Sequence, residues 1–508
     1  KTARLSSGRF HYVRDLQDIA LDTARSAGAE YADIRISNHR TQNIRTREER
    51  VQSVSNRESF GFGVRVLVRG TWGFASSHVV DKNEIAKVTK RAVAIAKANR
   101  VIQNDPVILA PVKAYEDTWK TPIKKDPFTV PLEDKINLLL KVNEEALKIK
   151  GASFCNSFML IMNERKYFAS TEGTYLDQDT YRIWPQFTVT AVDRDKGEFE
   201  TCISEIYPMG SGYEFVEENE MVSLAPEVAS TAVEKLSARS VDPGKKDIIL
   251  DPTNLWLTIH ESIGHPTELD RALGYEANYA GTSFLTVDKM GKLKLGSDIV
   301  NFAADKTIEG GLASVGYDDD GEKTKEWYLV KDGLFIDYQT TRDQVFWPEY
   351  QNARKDAGLP EVTESYGTCY GDSWSSIPFQ RMPNIHLDPG KDRLSLDDLI
   401  SDTKDGIYIT GRASYSIDQQ RYNFQFSGQT FHEVKNGKIT GMLKDVAYQA
   451  NTKEFWNSCD AICDERFWKM YGSYYDGKGQ PGQSNAVSHG CPPARFRKVN
   501  VINTGKTI

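Results

Sequence analysis

Residues 257–270 read Leu-Thr-Ile-His-Glu-Ser-Ile-Gly-His-Pro-Thr-Glu-Leu-Asp and contain His260-Glu261-x-x-x-His265. The chain has only 8 histidines. A pair at this spacing with an acid after the first is expected on the order of 0.02 times by composition, so the motif is not a compositional accident. Two imidazoles plus one more ligand leave a position for water on a zinc ion, and an adjacent carboxylate can take that water's proton. Glu261 is the candidate general base, with the metal polarising a scissile carbonyl. Histidines four apart lie about 40° apart around a helix, whereas five apart gives about 140° and two different faces. The reading therefore requires distorted helix, either a π-type turn or an early helix end. Gly264 is permissive, and Pro266 biases His265 away from the α region. Glu268 and Asp270 could orient a histidine from behind or stand as surface acids. The alternative to a metal site is two histidines satisfied by hydrogen bonds on an ordinary helix.

The elements that must carry this motif are legible from periodicity. Apolar residues at helical spacing (Leu16, Ile19, Ala20, Ala24) predict a helix over 13–24, stopped at Gly28. Alternation predicts strands over 31–37 and 60–68, with 72–75 continuing past the Arg69-Gly70 turn. Asp81 is placed to cap a helix whose face carries Ile85, Val88, Ala92 and Ile95. Segment 101–131 holds Pro106, Pro111, Pro122, Pro127 and Pro131 and reads as an extended connector. A second amphipathic helix is predicted over 132–150, strands over 153–206, and a helix near 226–237. Val241-Asp242-Pro243-Gly244 then marks a boundary. The expected division is an α/β N-terminal domain, 1–243, and a β-rich C-terminal domain, 244–508, carrying the motif helix at 252–272: an α+β fold overall. Asp320-Gly321, Asp332-Gly333 and Asn436-Gly437 are hairpin signals in the second half. Asp318-Asp319-Asp320 lacks calcium-loop spacing and reads as a solvated turn.

Composition limits the partners. The 508 residues carry a formal charge of −7, which gives a nucleic-acid partner no electrostatic support. No window approaches 18 consecutive apolar residues, so no membrane span is expected. Six cysteines are too few for a disulfide framework, and Cys459 and Cys463, four apart as on a helix face, read as buried thiols. The aromatic residues, Trp72, Trp374 and Trp456 among them, read as core packing before groove lining. Gly477-x-x-x-x-Gly482-Gln483-Ser484 resembles a P-loop but lacks its lysine and a surrounding βα unit. Gly477, Gly479 and Gln480 are better suited to holding an extended peptide through its backbone. The sequence opens on Lys1, which leaves export as well as cytoplasm open for its location.

Several segments together resemble the TldD/PmbA metallopeptidases, in particular the TldD-type members that bear the metal motif. They are 29–35 (Ala-Glu-Tyr-Ala-Asp-Ile-Arg), 61–66 (Gly-Phe-Gly-Val-Arg-Val), 72–75, 169–173, 371–374, 424–429, and the His260-Glu261-x-x-x-His265 motif followed by Glu268. The resemblance spans nearly the whole chain. It implies zinc-dependent cleavage of small, modified or unfolded peptides, one zinc per chain, and a dimer, either of like chains or with a PmbA-type partner. It is compatible with a cytoplasmic location. It also implies a third ligand, a cysteine in a C-terminal Cys-Gly-Lys segment. Here that segment is Asp476-Gly477-Lys478, so Asp476 takes the cysteine's place, with Cys491 in His489-Gly490-Cys491 as the alternative. A carboxylate can complete a two-histidine zinc site, as a harder ligand that leaves the metal more Lewis acidic. His489 and His432 read as hydrogen-bonded residues, not ligands. The missing cysteine also supports a second reading, a non-catalytic peptide-binding or regulatory subunit.

Overall fold

The computed structural model describes residues 7–505. About 24% of the chain is helix and 39% strand, in separate helical and sheet layers, which makes it α+β as expected.

The first layer system is a seven-stranded sheet. Its strands are β1 (Tyr31–Arg47), β2 (Arg50–Val68), β3 (Thr71–Ser77), β4 (Glu116–Lys120), β5 (Ala152–Ser170), β6 (Tyr175–Asp193) and β7 (Glu198–Ile203), ordered β3-β2-β1-β5-β6-β4 with β7 also on β6. The 101–131 segment is thus more than a connector, because β4 pairs in parallel with β6. Strand alternation sorts β1 into two faces. Ile34, Ile36 and Ile44 point to the helices α1 (Ser7–Ser26), α2 (Lys82–Asn99), α3 (Leu132–Leu147) and the later helix Met221–Ser237. Asp81 caps α2 as its sequence position indicates, accepting from the Asn83 and Glu84 amides.

The opposite face of the sheet holds Asp33, Arg35, Arg65 and Lys166, all buried. This face corrects the reading of the acidic run. Asp318, Asp319 and Asp320 are 2–4% exposed and form no solvated turn. Asp320 takes Arg65 at 2.6 Å, and both oxygens of Asp319 take Lys166 at 3.0 Å. Burying charged carboxylates requires paired cations; those of Asp319 and Asp320 come from strands more than 130 residues earlier in the chain, while Asp318 accepts from the Asp320, Glu322 and Cys369 amides.

The second half is built on a mixed sheet of ten strands. Its centre is Gly244–Leu250, parallel to Asp405–Thr410 on one side and antiparallel to Ala494–Asn503 on the other. Both Asn436-Gly437 and Asp332-Gly333 turn hairpins, with all four residues at positive φ. Cys459 and Cys463 are buried free thiols, but Cys459 lies on the strand Cys459–Ile462 and not on a helix. The largest core cluster fills the space between this sheet, the motif helix and a final hairpin, Lys469–Lys478 with Gln483–Cys491.

Candidate metal centre

The motif helix begins at Pro252, whose missing N–H costs nothing at a first turn, with Asp251 accepting from the Thr253 amide. Eight α-helical residues follow, Pro252–Ile259. The expected distortion comes next: His260–Gly264 is a π-turn, and the His265 amide donates to the His260 carbonyl five residues back. A π-turn spends about one residue more per turn than an α-helix, so residues five apart come to the same side. The two imidazole centroids are 4.6 Å apart and nearly perpendicular, at 77°.

The local cause differs from the sequence expectation in two respects. His265 stays helical, at φ −62° and ψ −43°, so Pro266 does not push it out of the α region and instead starts a 3-10 turn over His265–Thr267. Gly264 is also helical, and its role is space, because a Cβ there would lie 2.6 Å from Met382 Sδ. Carbonyls freed by the widened turn must find other donors. Gln339 Nε2 donates to Gly264 O at 2.6 Å, and Thr267 Oγ1 donates to Ile263 O at 2.7 Å.

The final hairpin supplies the third side chain. A register irregularity between Ser473 and Asp476, of the kind that re-aims a side chain, precedes the pairing of Asp476 with Asn485. Asp476 Oδ1 lies 3.6 Å from His260 Nε2 and 3.5 Å from His265 Nε2. His260, His265 and Asp476 form the one group of three or more potential metal ligands found among the described residues, with their ligand atoms within 4.8 Å of one another. Cys491 is outside it. It is a buried thiol whose pKa burial pushes well up, six residues along the strand from Asn485, or about 20 Å at strand rise. His432 is also elsewhere, against Tyr408 in the large sheet.

The surroundings suit a cation. Two ligands about 2.0–2.2 Å from a tetrahedral zinc stand roughly 3.3–3.5 Å from each other, close to the N···O separations of 3.5 and 3.6 Å. Burial, with Arg421 and Arg271 nearby, pushes His260 down to about 3. Burial and Arg271 do the same to His265, also to about 3. Both rings are therefore neutral at pH 7 and keep a free lone pair. Glu261 sits at the base of the site, pushed up to about 7 by burial although Arg421 Nε is 3.7 Å away. Its Oε2 is buried without a hydrogen-bond partner.

The remaining sequence candidates divide. Glu268 Oε2 is 3.4 Å from His265 Nδ1 and accepts from Arg271 Nε at 2.6 Å. Despite burial, Lys478 and Arg271 hold its carboxyl well below the ordinary range. Asp270 faces Lys478, at 2.8 Å, and neither histidine. The glycine-rich tip joins the hairpin strands beside a cleft of about 290 Å³ lined by Tyr275, Phe379, Gly479 and Gln480. There Gln480 accepts from Asn278 at 2.6 Å and the Gly479 amide donates to Glu276. Gly477 has open space around its Cα. Two residues of the site were not singled out from sequence. Arg421 and Arg381 have no motif around them. Arg381 Nη2 donates to the Asp476 main-chain oxygen, and its Nε and Nη1 are buried without partners. His489, read as hydrogen-bonded, is bonded to a motif histidine: its Nε2 lies 2.8 Å from His260 Nδ1.

Comparison with known proteins finds relatives along nearly the whole chain. Models of the PmbA/TldA metallopeptidases match in three parts: domain 1 over residues 32–96, the central domain over 125–239 and the C-terminal domain over 243–503. A metalloprotease of Methanocaldococcus jannaschii is 28% identical over 461 residues, covering 91% of this chain and 94% of the relative. The zinc metalloprotease TldD homolog of Saccharolobus solfataricus is 23% identical, covering 97% and 99%. In fold, TldE from Thermococcus kodakarensis superposes with a TM-score of 0.68 at 14% identity, over 95% of this chain and 99% of that one.

Proposed function

The chain belongs to the PmbA/TldA metallopeptidase family, and from that premise we propose that it is a zinc-dependent peptidase acting on small, modified or unfolded peptides. The convergence of His260, His265 and Asp476 from two separate elements carries the reading. The naming of the Saccharolobus relative as a zinc metalloprotease supports the choice of metal. In this reading His260 Nε2, His265 Nε2 and an Asp476 carboxylate oxygen hold one zinc per chain. When bound, zinc polarises the scissile carbonyl and makes water a nucleophile near neutral pH.

The chain's own residues do the rest. Glu261 takes the proton of the attacking water and returns it to the leaving amine. Burial raises the Glu261 carboxyl above the ordinary range, which strengthens it as a base. Arg421 stays close enough to steady the carboxylate form. Glu268 and His489 fix the two rings from behind, and Arg271 fixes Glu268. The hairpin tip at Gly477, Gly479 and Gln480 offers main-chain groups to an extended peptide. Assembly as a pair, either of like chains or with a PmbA-type partner, belongs to the same reading.

A second reading has one specific observation behind it. Asp476 shares its carboxylate with Arg381, 3.4 Å away, and a non-catalytic peptide-binding subunit would result if that ion pair displaced the metal. Metal analysis of chain purified without chelator separates the two. The peptidase reading expects about one zinc per chain, removed by chelation together with peptide hydrolysis. Failure to retain or titrate in any divalent ion supports the second reading.

A further inference from the structure

Beside the candidate centre lies a smaller cavity, about 170 Å³, that no part of the reading above uses. Its walls are Trp184, Glu205, Tyr207, Arg412, Tyr474 and Tyr475. Two of its walls adjoin residues of the candidate centre. Tyr475 immediately precedes Asp476, and Tyr207 meets Trp256, one turn before His260, edge-on at 5.5 Å. The charge of Arg412 reaches both Glu205 and His260.

The walls are fixed before any ligand arrives. Trp184 donates to the Ile206 carbonyl at 3.3 Å, and its ring lies nearly parallel to that of Tyr474. The Glu205 carboxyl is held at both oxygens, by Tyr207 Oη at 3.0 Å and Gln429 Nε2 at 2.7 Å. Burial pushes that carboxyl up to about 8, so it is uncharged at neutral pH. Arg412 is the exception. Its guanidinium makes no ion pair or hydrogen bond among the described residues, and it is exposed beside the Trp256 ring, 5.8 Å from the centroid. The cavity is smaller than the roughly 300–1,000 Å³ of a whole small-molecule site, and holds a few times the ~30 Å³ share of one water. That is room for one large side chain. Aromatic walls favour a ring. A cation at the mouth and an uncharged acid inside disfavour lysine or arginine.

We propose that this cavity is a side-chain subsite that takes an aromatic residue of the peptide substrate, while Arg412 holds a main-chain oxygen of the same residue. The proposal rests on the peptidase reading for the word substrate, but its test needs neither metal nor turnover. Ligand-observed NMR titration of the full, metal-free chain with N-acetylphenylalaninamide and N-acetylalaninamide reads it directly. The phenylalanine probe is expected to bind at least tenfold more tightly. Ser473→Trp, which fills the cavity from its own lining, is expected to lower that affinity at least tenfold, and Arg412→Ala several-fold. Equal binding of the two probes overturns the proposal, as does full affinity in a folded Ser473→Trp chain. If Ser473→Trp does not fold, Trp184→Ala removes one wall, and unchanged affinity there is equally fatal. Phenylalanine-selective binding by a chain that hydrolyses no peptide when zinc-loaded would count against the peptidase reading and leave the subsite standing.

Discussion

Nδ1 of His260 sits 2.8 Å from Nε2 of His489, and this contact decides which face of His260 is free. His489 Nδ1 lies 3.0 Å from the Ile385 carbonyl, which can only accept. His489 therefore donates from Nδ1 and accepts at Nε2. His260 must then donate from Nδ1, which leaves the lone pair of its Nε2 directed to Asp476 and His265. The relay runs through buried atoms, with His489 0% exposed.

It follows that His489→Ala should lower zinc affinity by about 10–100-fold while leaving the fold intact, as loss of a ligand's supporting hydrogen bond typically does. Competitive titration against a chelator of known affinity measures it. Unchanged affinity would show that the relay does not set the tautomer.

Glu261→Gln keeps the shape of the side chain and removes its basicity. The variant should retain zinc and lose about 10²–10⁴-fold in peptide hydrolysis, the usual contribution of a positioned acid–base group. Turnover near the wild-type rate would assign the base elsewhere.

Asp476→Ala should weaken zinc binding far more than Cys491→Ala, because Asp476 faces both histidines and Cys491 neither. Cys491→Ala removes a buried sulfur at 0% exposure and should chiefly cost packing, on the order of 1–3 kcal/mol. If Cys491→Ala is the variant that loses zinc, the ligand assignment passes to Cys491.

The buried charges between the two halves give a pH prediction. Lys166, His39 and Arg182 overcome the burial of Glu164 and hold its carboxyl down to about 2. Its unfolded value is about 4.3. A depressed carboxyl contributes stability that is full above about pH 5 and is lost as pH falls toward 2. Glu164→Gln leaves Lys166 with one buried partner fewer and should destabilise the chain by about 3–5 kcal/mol at neutral pH. Chemical denaturation at stepped pH should show the gap to wild type closing between about pH 5 and 2. A gap independent of pH would mean that Glu164 acts through packing and not charge.

The chemistry of the site was more legible in the sequence than its surroundings were. The five-residue histidine spacing demands a widened turn, and His260–Gly264 is that turn, because helix geometry leaves few other ways to align the rings. The reason offered for it was only partly right: Gly264 makes room for Met382, and Pro266 leaves His265 helical. Local pattern also located the first sheet, the Asp81 cap and two hairpins. It could not locate Arg381, Arg421 or the partner of His489, since each meets the site from more than 90 residues away and no spacing rule connects them. The acidic run failed for the same reason. Asp318, Asp319 and Asp320 look solvated until Arg65 and Lys166 are folded onto them.

The central claim is that His260, His265 and Asp476 hold one zinc. An anomalous difference map at the zinc edge, from crystals of zinc-reconstituted protein, tests it most directly. The account predicts a single peak about 2.0–2.2 Å from His260 Nε2, His265 Nε2 and an Asp476 carboxylate oxygen. No peak between the histidines, or a zinc bound there while Asp476 stays on Arg381, would contradict it.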